Sequence, residues 1–390
     1  MQTGFGPFVS VYLTAQKWTQ VDIGLVLSAS ALVALVGQMP GGALVDAARS
    51  ERLVAGISVA AIAISALGFA AMPVFAVVLS SGILHAAASC VLGPAIVAIS
   101  LGLVGHAAIG ERLGRNARFA SIGNGLAAAA MGACGYFISA RAVFFVTALL
   151  LVPALLALRS MSPREIDPER AHGGPPRPRS VDLPPIKLAD LLRQRRLLIL
   201  CGCVMLFHLA NSAMLPLMGS VMTMRSSQWA TVLIAACIVV PQLVVALSSP
   251  WVGRQAQIWG RRPLLIVGFA ALPLRGILFA TIHSPYLLVA VQVLDGITAA
   301  VLGVMVPLII ADLTRGSGRF NLGQGIVGTT TGIGASLSAI FAGYITDRFG
   351  SASAFFELSA VAIVALTAVA AFMPETRPAG EEEGDEASEV

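Results

Sequence analysis

The sequence predicts an all-α polytopic membrane protein: twelve transmembrane helices arranged as two pseudo-symmetric six-helix bundles. Three observations carry that expectation. Of the 390 residues, 57% are hydrophobic and only 12% charged, about half the charged share of a soluble domain. Apolar runs of spanning length, about 18 residues or more, recur along the whole chain. The second half also repeats the first at an offset of about 210 residues. A β-barrel is excluded because its strands would alternate apolar and polar residues, whereas 53–71 is apolar throughout.

In order, the expected spans are 4–16, 23–45, 53–71, 74–104, 119–138, 142–158, 197–223, 229–252, 263–281, 286–310, 323–345 and 352–373. The first is short. "QTGFGPF" (2–8) matches "NSAMLPL" (211–217), and the seventh span begins about fourteen residues before Asn211. Residues 1–16 give only about 24 Å of helix, so the repeat predicts a first helix incomplete at its N-terminus. Spans two to six complete an N-terminal bundle, 1–158. The stretch 159–196 reads as a cytoplasmic linker whose "HGGPPRPRS" and "DLPP" are too rich in proline to continue a helix. Its end, "IKLADLLRQRR", has helical spacing suited to the membrane surface. In span seven, Pro216 should kink the helix. Spans seven to twelve make the C-terminal bundle, 197–373, and 374–390 is an acidic cytoplasmic tail.

Charge sets the topology. Loops on the linker's side hold twenty of the lysines and arginines, the opposite loops only Lys17, Arg141, Arg225 and Arg348, and Arg275 alone lies within a span. Basic loops stay inside, so both termini are expected in the cytoplasm and the protein in the inner or plasma membrane. The net charge of +5 therefore reports topology rather than a nucleic-acid surface. The five cysteines all fall inside spans and read as small apolar core residues. No cofactor and no metal site is expected. No cleavable signal peptide is visible either, since the first apolar run lacks a basic leading region.

The repeat is specific. "ILHAAASCVLG" (83–93) aligns without gaps on "VLDGITAAVLG" (293–303), and "RFASIGNG" (118–125) resembles "RFNLGQG" (319–325). Transporters built from two parallel copies place substrate and coupling ion near the bilayer midplane, between the halves.

"GALVDAARSER" (42–52), after span two, and "GRQAQIWGRR" (253–262), after span eight, lie at repeat-related positions, and "PETR" (374–377) follows the last span. With the six-plus-six layout these resemble the major facilitator superfamily, whose loop signature is G-x-L-A-D-R-x-G-R-R. The first copy keeps Gly42, Leu44 and Asp46, with Arg49 following. The second keeps Gly253, Gly260, Arg261 and Arg262 but has Gln257 where the aspartate belongs. The resemblance implies that Asp46 latches the cytoplasmic side in one conformation, with Arg261 or Arg262 reaching Asp312. Physically, Gly42 and Gly253 let helices approach closely. Asp46, at a helix end, can meet either a cationic side chain or the positive N-terminus of a facing helix. The alternative for the arginines is plain topology.

Arg275 and Asp295 are the charges that need explaining. Each costs about 2.5–3.5 kcal/mol at the centre of a span. Counting from the ends of spans nine and ten puts them about 10 and 14 Å deep, close enough to pair. Structural glue would account for the pair. The repeat adds that Asp295 falls on His85 of span four, and the resemblance implies that both spans face a central cavity. Intramembrane Asp and His are residues of proton relays. His85 and Asp295 are therefore candidates for exchanging protons with substrate or with each other, with Arg275 tuning Asp295.

Further polar candidates for the substrate cavity are His208 and Asn211, three apart on one helix face, Gln2 as the repeat partner of Asn211, Gln242, Gln292, Asn124 and Gln324. Span five, "GNGLAAAAMGACG" (123–135), lacks the proline of the family's antiporter signature. The expected function is proton-coupled transport of a small organic solute by a monomer, with efflux favoured. Alternatives are an uptake symporter or uniporter, in which His85 and Asp295 bind solute, and a non-transporting receptor or scaffold on the same fold. An enzyme is not expected, since no nucleophile–base pair or phosphate-binding loop is present.

Overall fold

The computed structural model describes residues 9, 12–174, 188–225 and 230–377. Among the described residues the chain is helical without strands, and ten helices are long and apolar enough to cross a membrane. The predicted first span lies mostly outside the described residues. The others are α1 (Gln20–Ala47), α2 (Glu51–Ala71), α3 (Phe75–Phe137), α4 (Ala142–Leu149) with α5 (Leu151–Ser160), and two short helices, α6 (Pro168–Ala171) and α7 (Leu188–Leu191). They continue with α8 (Arg195–Asn211), α9 (Met214–Arg225), α10 (Ala230–Trp259), α11 (Arg261–Thr281), α12 (Pro285–Leu313), α13 (Phe320–Phe349) and α14 (Ser351–Phe372).

Local chemistry sets where these helices start and break. Thr19 caps α1 by accepting from the Asp22 N–H, and Ser50 caps α2 by accepting from the Leu53 N–H. Arg141 donates to the Ala70 and Ala71 carbonyls at the end of α2, supplying donors where a helix has none. A proline ring collides with the carbonyl four residues earlier. Pro216 accordingly breaks span seven between Asn211 and Met214, and Pro153 separates α4 from α5 after Leu149. The orphaned Ala213 N–H donates to Ser338 Oγ at 3.0 Å. Spans four and five are joined differently from the expectation of a loop at 105–118. The chain stays helical there, and the direction changes at Gly105, whose φ of 69° and ψ of −176° only glycine adopts easily.

The chain divides into two compact units: residues 1–105, 118–186 and 316–337 form one, and 106–117, 187–315 and 338–390 the other. In the first, α2 packs on α4 and α5, and Phe144 stacks on Phe69 and meets Tyr12 edge-on, in one core with Val9, Ile23 and Val26. The linker's first part joins a second cluster in this unit, with Val45, Ala55, Leu92 and Ala95. Ile166 and Ala171 are buried, Asp167 caps α6, and its N–H donates to the Gly102 carbonyl. In the second unit α11 packs on α12 and α14, α12 on α10, and α8 on α14. Many large apolar side chains point outward, Leu32, Ile64, Leu247 and Ile340 among them. In water such surface would drive association; on spanning helices it is the surface that meets lipid tails.

Candidate functional site

At the end of α1, Asp46 faces the first turn of α13 within the first unit. Its Oδ1 accepts from the Asn321 N–H (3.1 Å) and from Asn321 Nδ2 (2.9 Å), and its Oδ2 from the Leu322 N–H (2.7 Å). Those backbone donors have no partner inside their own helix, so one carboxylate satisfies the positive end of α13. Of the two partners the sequence left open for Asp46, the geometry selects the helix N-terminus. Gly42 makes this possible, because a Cβ there would collide with the Asn321 carbonyl oxygen. Gln324 joins the same cluster, donating to Asn321 Oδ1 at 3.1 Å. Arg49 is exposed.

The second copy of the motif sits in the other unit and is built with different chemistry. Gly253 packs against the backbone of Gly110, where a Cβ would strike the Gly110 carbonyl oxygen. Gln257, standing where the aspartate belongs, donates to the Ala107 carbonyl at 2.9 Å and accepts from Arg261 Nη1 at 3.2 Å. Arg261 is the arginine that reaches Asp312: its Nε donates to Oδ2 at 3.0 Å, with both side chains almost fully buried. Arg262 donates its side chain to the Ala370 carbonyl instead. Gly260 caps α11 with φ 87°, and the Glu375 carboxylate lies where its Cβ would be. Glu375 accepts from the backbone N–H groups of Arg261, Arg262, Thr376 and Arg377. Burial works against its ionisation, but those four donors outweigh it and hold its pKa below the usual carboxylate value.

Midway along α11 and α12, Arg275 and Asp295 form an ion pair. Arg275 also donates to Asn211 Oδ1 at the α8 break and to Met214 Sδ at 3.3 Å, and its guanidinium lies 5.7 Å from the Phe279 ring centre. The break that Pro216 forces therefore has a use: it puts Asn211 and Met214 beside a charge. The Arg275 side chain is 3% exposed and that of Asp295 25%.

A family model described as the Major Facilitator Superfamily matches residues 1–245 and 200–389. The chain belongs to the major facilitator superfamily. Two strains of Mycobacterium tuberculosis carry uncharacterised MFS-type transporters that are 39% identical to it over 380 residues, 96% of this chain and 90% of theirs. The class B tetracycline resistance protein of Escherichia coli is 29% identical over 135 residues, 35% of this chain and 33% of that protein. Among solved structures, a proton:xylose symporter superposes with TM-score 0.70 at 15% identity, covering 96% of this chain and 92% of its own. The E. coli fucose:proton symporter does so with TM-score 0.71 at 14% identity, covering 95% of each. At those identities the two symporters show the fold alone; the family itself is one of transporters.

The remaining candidates of this major facilitator are dispersed. His85 is half-buried on α3, in the first unit. His208 is half-buried on α8 with its ring edge-on to Phe207. Gln242 and Asn124 are half-buried on α10 and α3. Gln292 is fully buried against the Cys237 thiol. Gln2 lies outside the described residues. No group of three His, Cys, Asp or Glu side chains could hold a metal among the described residues.

Sequence reasoning missed Asn321, Glu375 and the pair of His172 Nε2 with the buried Glu51 at 2.9 Å. Asn321 lies in the repeat "RFNLGQG" and Glu375 in "PETR", so both were in view, but neither stretch says which helix end it will meet. Glu51, one residue after a serine cap, carries no signal that sets it apart from an ordinary first-turn acid.

Proposed function

We propose that this major facilitator moves a small organic solute by alternating access, coupled to protons and in the direction of efflux. It works as a monomer in the inner or plasma membrane, with both termini in the cytoplasm. One observation carries the reading: Arg275 and Asp295 pair within the spanning helices α11 and α12, and they are unequally sealed. Enclosing a pair strengthens its attraction but adds the desolvation cost of both ions, so a partner left open stays within reach of a competing proton or cation. Here the guanidinium is enclosed and a quarter of the carboxylate side chain is open. A proton or a cationic solute reaching Asp295 competes with Arg275 for it, and that competition is the coupling device. His85, the repeat partner, is the second titrating group. Asp46 and the Arg261–Asp312 pair act as latches that favour one conformation.

The named relatives support parts of this reading. The symporters lend support to proton coupling, and the likeness to a tetracycline resistance protein, over about a third of each chain, favours export. Uptake by symport is the second reading, favoured by the same two symporters. Thermal-shift screening of the purified protein against metabolites and drugs supplies a transported probe, whose flux is then followed in proteoliposomes with and without a pH gradient. Asp295→Asn is expected to abolish the dependence on the gradient. Full gradient-driven flux in that variant removes the proton role, and the sign of the gradient that drives export or import separates the two directions.

A further inference from the structure

A cleft of about 320 Å³ lies between the start of α2 and the end of α5, in the first unit. Its mouth carries two guanidinium groups, Arg52 in the first turn of α2 and Arg159 in the last turn of α5. Its walls are Leu53, Ile57, Leu155 and Leu158, and its floor is opened by Gly56 and Ala60. From Arg52 to Ala60 is about 12 Å of helix. Among the described residues no carboxylate lines it. The nearest in sequence, Glu51, is 3% exposed, with His172 Nε2 2.9 Å from its carboxylate, and it does not line the cleft. The hydrogen bond from Arg52 to the Met161 carbonyl leaves its charge intact.

From this arrangement we infer that the cleft binds one anionic phospholipid, with its phosphate on Arg52 and Arg159 and the first part of an acyl chain laid along Gly56 and Ala60. Guanidinium groups suit phosphate oxygens, which they can grip with two parallel hydrogen bonds. Basic clefts between spanning helices at the membrane surface suit anionic headgroups. A soluble phosphate would use the arginines but not the walls. Those walls belong to two spanning helices whose neighbouring side chains, Ile64 on α2 and Val152 and Leu156 on α5, are also turned outward, so the cleft opens where lipid tails run. The topology proposed above places the headgroup in the cytoplasmic leaflet; the binding itself does not depend on that assignment.

Native mass spectrometry of the full chain in detergent tests the inference, with phosphatidylglycerol and phosphatidylcholine of identical chains titrated separately. The wild type is expected to retain one phosphatidylglycerol in preference to phosphatidylcholine. Arg159→Gln, at an exposed residue, should weaken phosphatidylglycerol about fivefold, the contribution of one basic residue at a membrane surface. Arg52→Gln should do the same. Gly56→Leu fills the floor and should lower retention of phosphatidylglycerol while leaving both arginines in place. Equal binding of the two lipids, or unchanged phosphatidylglycerol binding in all three variants, overturns the proposal. Full displacement of phosphatidylglycerol by soluble glycerol phosphate also overturns it, since the site would then be one for a free anion. Because the readout is binding, a transport result that sinks the proton role of Asp295 leaves this test unaffected.

Discussion

Replacing Asp295 should cost more than its own exposure suggests, because the penalty falls on Arg275. In Asp295→Asn the guanidinium stays inside α11, 3% exposed, with the Asn211 oxygen, Met214 Sδ and the Phe279 ring as partners. All three are already engaged in the wild type, and the new amide oxygen at position 295 can accept a hydrogen bond but supplies no charge. Breaking a buried pair by removing one partner costs about 3–5 kcal/mol. The reverse change, Arg275→Met, leaves a carboxylate a quarter open to its surroundings. That group can be hydrated or take a proton, so the cost should be about 1–3 kcal/mol. The double variant removes both charges and strands the Asn211 oxygen and the new amide at position 295, at about 1 kcal/mol each. The two single costs thus exceed the double by about 2 kcal/mol or more. Equilibrium unfolding of all four proteins in mixed micelles measures this coupling. Single costs that add to the double within about 0.5 kcal/mol would refute the claim that the two side chains act as one unit.

Gly42→Ala should destabilise by about 1–3 kcal/mol, because the new methyl meets the Asn321 backbone. Gly24→Ala on the same helix, with nothing within 4 Å, should be neutral or stabilising by up to about 1 kcal/mol, and the pair compared by thermal unfolding separates packing from propensity. Asp46→Asn exchanges an acceptor for a donor that faces N–H groups, and should cost about 1–2 kcal/mol; faster hydrogen exchange at the Asn321 and Leu322 amides would locate the loss. Glu375 gives a pH dependence. Its folded pKa lies below the ordinary 4.5, so its stabilisation is complete above that value and is lost as pH falls through the lowered one. The stability gap between wild type and Glu375→Gln, followed by unfolding at a series of pH values, should be full at neutrality and close in acid.

The spans were legible because lipid asks for little beyond length and apolarity. Even the break in span seven could be read from Pro216, since the clash of its ring is local. The pairing of Arg275 with Asp295 was legible for a related reason: two costly charges on helices joined by a short turn have few other ways to be satisfied. Contacts that depend on which helix ends meet were not. Asp46 could have faced a cation or a helix N-terminus, and only the fold chose Asn321 and Leu322. The linker's first part reads as polar connection, yet Ile166 and Ala171 are buried because Asp167 starts a helical turn against Gly102. One apolar residue in a polar stretch carries no periodicity that would reveal this. Gly105 was similarly silent, since a glycine between two spans fits a loop as well as a bend.

The engagement of Glu375 with the start of α11 has a practical side. A reporter or purification handle fused directly after Met373 would discard the side chain that closes that helix, and with it Thr376, which donates to Asp312. Fusion after Arg377 would spare both. Two otherwise similar expression designs, four residues apart, should therefore yield proteins of different robustness, and the shorter should be the one lost during extraction from the membrane.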